Sequence, residues 1–160
     1  MEYCYYAIDC EMVGSGYRGC QSILARVSIV DWFGDVVLDE YVQPIEPVTD
    51  YRTPYSGITP EDLVNGIDFF TVRKKVISIL QEKILVGHSL KFDLDVLNLH
   101  YPEHRLRDLA TCDSLMRNNQ PVSLKSLAWK YLGQIIQIGG HDSLEDARAC
   151  MEIYKICRQR

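Results

Sequence analysis

The apolar run Tyr5-Tyr-Ala-Ile8 passes without a break into Asp9-Cys-Glu11 and then Met12-Val-Gly14. A run of that character forms a buried strand, with two carboxylates at its carboxyl end. Side chains two apart on a strand share a face, so Asp9 and Glu11 converge on one point. Buried ionised carboxylates are costly unless something cationic meets them. Hard divalent cations such as Mg²⁺ or Mn²⁺ favour oxygen-rich sites of this kind. A pair of solvated acids where a strand runs into a turn is the simpler alternative, so the pair gains meaning only from what lies downstream.

The periodicity divides the chain. Alternation predicts strands over 3–9, 23–31 and 35–43, and Trp32-Phe-Gly34-Asp35 supplies a tight turn that makes the last two a hairpin. Gly14-Ser-Gly16 and Gly19 mark a loop between the first and second strands. From Thr59 the period changes. Thr59-Pro60-Glu61-Asp62 carries an N-cap, a first-turn proline and an acid at the third position, which starts a short helix. Helical spacing follows over 69–82 through Phe70, Val72 or Arg73, Val76, Ile77 and Leu80. Ile84-Leu-Val86 reads as a short buried strand. Helices are predicted over 89–98, with Leu90, Leu94 and Leu97 on one stripe, and over 123–132 and 143–158. Three strands followed by alternating helix and strand predict an α/β domain with a mixed sheet flanked by helices.

At 160 residues and 47% hydrophobic, the chain is large enough for one independently folding core. Its formal net charge of −5 argues against a protein that holds nucleic acid by bulk electrostatics, but not against one that pairs acids for metal with a local basic rim. Lys91, Arg18 and Lys125 are candidates for such a rim. The six cysteines contain no C-x-x-C pair, which predicts inert thiols in a reducing compartment, not a disulfide framework or zinc site. No apolar run approaches membrane-spanning length, and no signal peptide precedes the first strand. An intracellular domain is expected, and the start almost directly on a core strand predicts that it is cut from a longer protein.

Two further segments carry acids. Val86-Gly87-His88-Ser89 leads into a helix that holds Asp93 one turn in if Ser89 is its N-cap, with Asp95 nearby as an alternative. Gly139-Gly140-His141 enters the last helix, where Ser143-x-x-Asp146 fits a capping box. His88 and Asp93 have the same H-x-x-x-x-D spacing as His141 and Asp146, so spacing does not say which histidine does chemistry. The glycine pair before His141 favours that one as a mobile base, while His88 follows directly on a buried strand.

The order is D-x-E, a helical Asp after G-H, then H-x-x-x-x-D opening the last helix. It resembles the DEDDh group of 3′→5′ exonucleases, and the likeness covers nearly the whole chain. Ala7-Ile-Asp9-Cys-Glu11-Met-Val-Gly14, Leu24-Ala-Arg26, Asp50-Tyr-Arg52-Thr53, Ser56-Gly-Ile-Thr59, Val86-Gly-His88 and Ser143-Leu-Glu-Asp-Ala147 look like one branch of it, the branch of RNA exonuclease 4, the interferon-stimulated exonuclease and the apoptosis-enhancing nuclease. Two departures stand out, Pro54-Tyr55 after the Tyr-Arg-Thr and a short segment between Asp108 and Ser123. Both bear on the rim that admits substrate.

The resemblance implies an RNase H-like fold and a single exonuclease domain over 1–160. It implies two divalent ions, Mg²⁺ or Mn²⁺, on Asp9, Glu11, Asp93 and Asp146, with Asp9 shared, and His141 as the base that deprotonates the attacking water. It also implies Met12 and Arg52 beside the terminal nucleotide. The expected activity is 3′→5′ hydrolysis of single-stranded RNA to nucleoside 5′-monophosphates, in the nucleus or nucleolus. The alternatives are the same chemistry on DNA, or a catalytically silent binding module, against which the intact set of five residues argues. No motif marks a 2′-hydroxyl sensor, and nothing singles out which of the ten tyrosines serve as base platforms.

Overall fold

The structure is a computed structural model and describes residues 4–158, so Tyr3 of the expected first strand lies outside the described residues. A six-stranded sheet is ordered β3-β2-β1-β5-β6, with β4 pairing the far end of β1. β1 (Tyr5–Ser15), β2 (Gln21–Asp31) and β3 (Val36–Tyr41) are antiparallel, whereas β5 (Ile84–Gly87) and β6 (Leu106–Asp108) continue the sheet in parallel with β1. This is the mixed sheet that the alternation predicts.

β1 does not stop at Asp9 but runs six residues further, so Asp9 and Glu11 lie inside the sheet, not at a strand end. Pairing with β2 carries it on. Glu11 faces Arg26 but Met12 faces Leu24, so Ala25 is an extra residue and the ladder bulges just after the acid pair. Bulges of this kind re-aim side chains beside sites. Alternation along β1 sends Tyr5 and Ala7 to one core and Ile8 and Cys10 to the other. The odd-numbered face, which includes Asp9 and Glu11, is covered by α5 (Leu124–Leu132) and α6 (Ser143–Arg158). The even-numbered face packs on α3 (Phe69–Leu80) and α4 (Leu90–Val96).

Local chemistry sets most boundaries. Asp31 turns the hairpin by accepting from Phe33 N and Asp35 N, with Gly34 at φ 85°. Thr59 and Asp62 form the expected capping box of α2 (Pro60–Val64). In α3 the buried stripe is Phe69, Val72, Val76 and Leu80, while Phe70 and Ile77 are exposed, a one-residue rotation from the expected face. Asp68 sets it by capping Thr71 N. The Leu90, Leu94 and Leu97 stripe is buried as expected. Three short elements carry no sequence signal: β4 (Val48–Asp50), α1 (Thr53–Ser56) and β6. The six cysteines are free, Cys10 and Cys150 buried and Cys4 and Cys20 exposed. Among the described residues no helix is long and apolar enough to cross a membrane.

Candidate active site

Asp9, Glu11, Met12, Arg52, His88, Asp93, His141 and Asp146 all line one cleft of about 410 Å³. Four elements build it. β1 presents Asp9 and Glu11 on its α6 side. Asp93 sits in the first turn of α4 and ties that helix to the sheet, its Oδ1 accepting from Cys10 N at 2.8 Å. Asp146 sits in the first turn of α6. His141 precedes that helix on the loop after Gly139-Gly140.

The expected caps are replaced in both acid-bearing helices. Ser89 occupies the N-cap position of α4 at φ 59° and makes no side-chain cap bond. Asp108, at the end of β6, does the work instead: Oδ1 accepts from Ser89 N and Ala110 N, and Oδ2 from Leu90 N, at 2.8–2.9 Å. Two charge-assisted bonds at the helix start, from Ser89 N and Leu90 N, fix its axis, and with it the placement of Asp93. In α6 the Ser143–Asp146 capping box is not formed. Asp142 Oδ1 caps the helix by accepting from Leu144 N and Glu145 N, and Ser143 is buried against Ser28. Asp146 is thereby released from capping. Its Oδ2 accepts from Gln137 Nε2 at 2.9 Å.

Electrostatically the cluster is overloaded with negative charge. Glu11 is pushed up to about 9 by burial and then by the Asp146 carboxylate, with Arg26 pulling the other way. Burial, followed by Asp93, Asp146 and Glu11, raises Asp9 well above the carboxylate range. Asp93 rises to about 7 through burial, against the stabilising bond from Cys10 N–H, and Asp146 to about 6 through burial, against the Gln137 amide. Arg26 is engaged on both sides by Asp39 and Asp142, so it does not neutralise the cluster. Glu11 Oε1 and Asp146 Oδ1 are buried with no hydrogen-bond partner. Orphaned buried carboxylate oxygens are expensive, and a divalent cation is the partner they suit. Glu11, His141 and Asp146 offer ligand atoms all within 4.8 Å of one another. The donor set fits a hard cation.

The two histidines differ. His88 Nε2 lies 2.7 Å from Val122 O and Nδ1 faces Ser89 Oγ, so the ring pins the end of β5 to the segment before α5. His141 Nδ1 stands 3.6 Å from Asp146 Oδ2, with its side chain 44% exposed to the cleft. Partial burial and the nearby Lys125 hold its imidazole below the ordinary range, which keeps it neutral and able to accept a proton near pH 7. The backbone around His141 is clamped. His141 N donates to Tyr55 O at 2.7 Å, and a Cβ on Gly57 would come within 2.5 Å of His141 O. Gly57, at φ 68°, is therefore required twice over.

Arg52 lines the cleft, but its guanidinium donates to Ser22 Oγ and Gly19 O, and its own backbone, at φ 52°, is held by Asp50. It braces the wall through α1. Met12 is half-buried at the edge of the α3–α4 core. Of the expected basic rim, Lys91 is paired with Asp95. The sequence reading passes over Gln137 and Phe92, and takes Tyr55 only as part of the Pro54-Tyr55 departure at the substrate rim. Phe92 and Tyr55 line the cleft with 62% and 74% of their surface exposed. Phe92 carried a signal, an apolar residue off the Leu90–Leu94–Leu97 stripe. Gln137, in an unpatterned loop at φ 60°, carried none.

The profile of the Exonuclease (RNase_T) family matches residues 6–154. The chain is 49% identical over 154 residues to RNA exonuclease 4 of Saccharomyces cerevisiae, covering 94% of this chain and 53% of that protein. To RNA exonuclease 4 of Mus musculus it is 47% identical over 156 residues, covering 96% of this chain and 36% of that protein. It thus spans roughly a third to three-fifths of the length of such relatives. Among solved structures, the Saccharomyces cerevisiae Pan2 pseudoubiquitin hydrolase–RNA exonuclease module in complex with A7 RNA superposes with TM-score 0.87 at 32% identity, over 98% of this chain and 28% of that one. The Neurospora crassa Pan2 catalytic unit gives 0.84 at 30% identity, over 99% and 27%. The sheet order and flanking helices are those of the RNase H-like fold. A profile match that runs from the second residue of β1 almost to the end of α6 takes in every acid of the cleft, and on this ground the chain belongs to the Exonuclease family.

Proposed function

We propose that this chain is a metal-dependent 3′→5′ exoribonuclease of the DEDDh type, acting on single-stranded 3′ ends and releasing nucleoside 5′-monophosphates. The observation that carries the reading is the convergence of four carboxylates and one exposed histidine on a single cleft, with two buried carboxylate oxygens lacking partners. Solved relatives in complex with short RNAs support RNA as the substrate.

Asp9, Glu11, Asp93 and Asp146 would hold two divalent cations, Mg²⁺ or Mn²⁺, with Asp9 serving both. Such ions supply charge stabilisation for the attacking and leaving oxygens of an in-line displacement. The protein's own groups do the rest. His141, neutral near pH 7, takes the proton of the attacking water at its exposed imidazole. Gln137 donates to Asp146 and leaves the other oxygen of that carboxylate open to the cluster. Phe92 and Tyr55 give the terminal base apolar surface, Met12 meets the sugar from the sheet side, and Arg52 holds the wall and offers its remaining N–H groups to ribose or phosphate. The nuclear or nucleolar address belongs to the same proposal and is checked by imaging the tagged full-length protein.

The test is a 5′-labelled RNA and its DNA counterpart incubated with Mn²⁺, Mg²⁺ or EDTA. Stepwise shortening of the RNA with either ion, loss in EDTA and a block by a 3′-phosphate are expected. Internal cuts in a circular RNA would overturn the exonuclease reading, and faster turnover of the DNA would overturn RNA as substrate.

A further inference from the structure

A second groove, of about 390 Å³, is lined by residues that neighbour those of the cleft in two segments of the chain. On one side, Ser123 and Leu124 face the acid cluster while Lys125, Ser126 and Trp129 face the groove, all on the first turns of α5 or its cap. On the other side Gln137 faces the acids while Gln134 and Ile135 line the groove. The groove and the cleft share no lining residue, but the same two segments, α5 with its cap and the stretch after it, supply a wall of each.

Its chemistry differs from that of the cleft. Trp129 is 63% exposed and Ile135 60%, with Ile138 of the same connecting segment at 79%. Large apolar surface clustered in this way is unusual on a water-facing helix and marks an interaction site. The buried stripe of α5 is Leu124, Leu127 and Ala128, so packing does not require a tryptophan at 129. Lys125 lies one helical turn before Trp129, so the two share a face. Lys125 also stands near enough to the cleft for its charge to act on His141.

We propose that this groove binds a nucleotide upstream of the scissile end of a single strand, its base stacked on Trp129 against Ile135 and a backbone phosphate at Lys125. The proposal rests on the exoribonuclease reading. A tryptophan face beside an aliphatic wall and one lysine is what a base and its phosphate need, and it is tolerant of base identity. It also shows how an acidic chain retains a polyanion whose reacting end lies among carboxylates: the strand is held by stacking and one cation outside the cluster. A protein helix would find the same apolar surface, but the position of Lys125, directly after Leu124 of the cleft and close enough for its charge to act on His141, favours the strand that the cleft itself processes.

The test compares Trp129→Ala with the native chain on a 12-nucleotide RNA and on a dinucleotide. One stacked base is worth about 1–3 kcal/mol, so the variant raises KM for the longer RNA by roughly 5–150-fold with little change in kcat. The advantage of the 12-mer over the dinucleotide shrinks accordingly, and Trp129→Phe restores most of it. Binding is read without turnover in EDTA. With Trp32→Phe as background, Trp129 is the remaining tryptophan, and its fluorescence is quenched by the 12-mer. Unchanged KM in Trp129→Ala together with no quenching overturns the groove while leaving the exonuclease reading intact. Failure of the native chain to degrade any RNA overturns the underlying reading instead.

Discussion

Glu11→Gln tests whether the acid cluster is built for a cation. Glu11 is 5% exposed, its Oε1 has no partner, and burial with the Asp146 carboxylate pushes it up to about 9 from 4.5. A carboxyl whose pKa is higher folded than unfolded contributes most below the unfolded value, and that contribution is lost as pH rises toward the folded one. Between about pH 4.5 and pH 7.5 the unfolded chain sheds this proton while the folded chain keeps it. Three pH units correspond to about 4 kcal/mol at 1.36 kcal/mol each. Relaxation and water entry reduce this, so a gain of about 2 kcal/mol is expected for the uncharged, near-isosteric glutamine, or roughly 4–8 °C in Tm for a chain of this size. The assay is a thermal melt in EDTA at several pH values, then with Mn²⁺. Glu11→Gln should melt higher than the native chain at about pH 7.5, converge with it near pH 4.5, and fall below it once Mn²⁺ is added. A variant less stable than native at neutral pH in EDTA, or a gap that ignores pH, would refute the reasoning.

Asp9→Asn should abolish turnover and keep the fold, and its Mn²⁺-dependent rise in Tm should be much smaller than that of the native chain; equal rises would remove Asp9 from the ligand set. His141→Ala should lower kcat by roughly 10²–10⁴-fold with substrate affinity little changed, and native activity should fall with acidification only below the ordinary histidine range, because burial and Lys125 depress this imidazole. His88→Ala removes the bond to Val122 O and should cost on the order of 1 kcal/mol of stability while turnover persists; an inactive but folded His88→Ala beside an active His141→Ala would reverse the assignment.

Legibility in the sequence tracked element length and the range of the interactions involved. Long periodic segments such as 143–158 were readable because their apolar stripe repeats over several turns. The three-residue strands β4 and β6 and the four-residue α1 span too few side chains for any period, and pairing partners far along the chain hold them in place. β1 was read too short for a related reason. Asp9 and Glu11 break its apolar pattern, and the β2 ladder that carries it through to Ser15 is invisible locally. Caps failed in the same way. Ser89 and Ser143 have the right residue type, but Asp108 reaches α4 from β6, and Asp142, one residue before the first residue of α6, takes the cap from Ser143. Gln137 and the Gly57–His141 contact depend wholly on tertiary proximity.

The repeated H-x-x-x-x-D pattern shows where spacing stops and topology takes over. In both segments four residues separate a histidine from an acid one turn into a helix. After β5 the chain turns through Ser89 at φ 59°, which swings His88 toward the α5 approach, and the Val122 carbonyl takes up its Nε2. Asp93 then reaches back across the sheet to Cys10 N, so histidine and acid serve different neighbours. Before α6 the Gly139-Gly140 segment lies against Gly57, and His141 donates its backbone N–H to Tyr55 while its ring stays open to the cleft. Because Asp142 does the capping, Asp146 turns inward with one oxygen on Gln137 and the other free. The same spacing thus yields one histidine consumed by structure and one left with a free face beside a buried carboxylate. That difference, more than the glycine pair, favours His141 as the base.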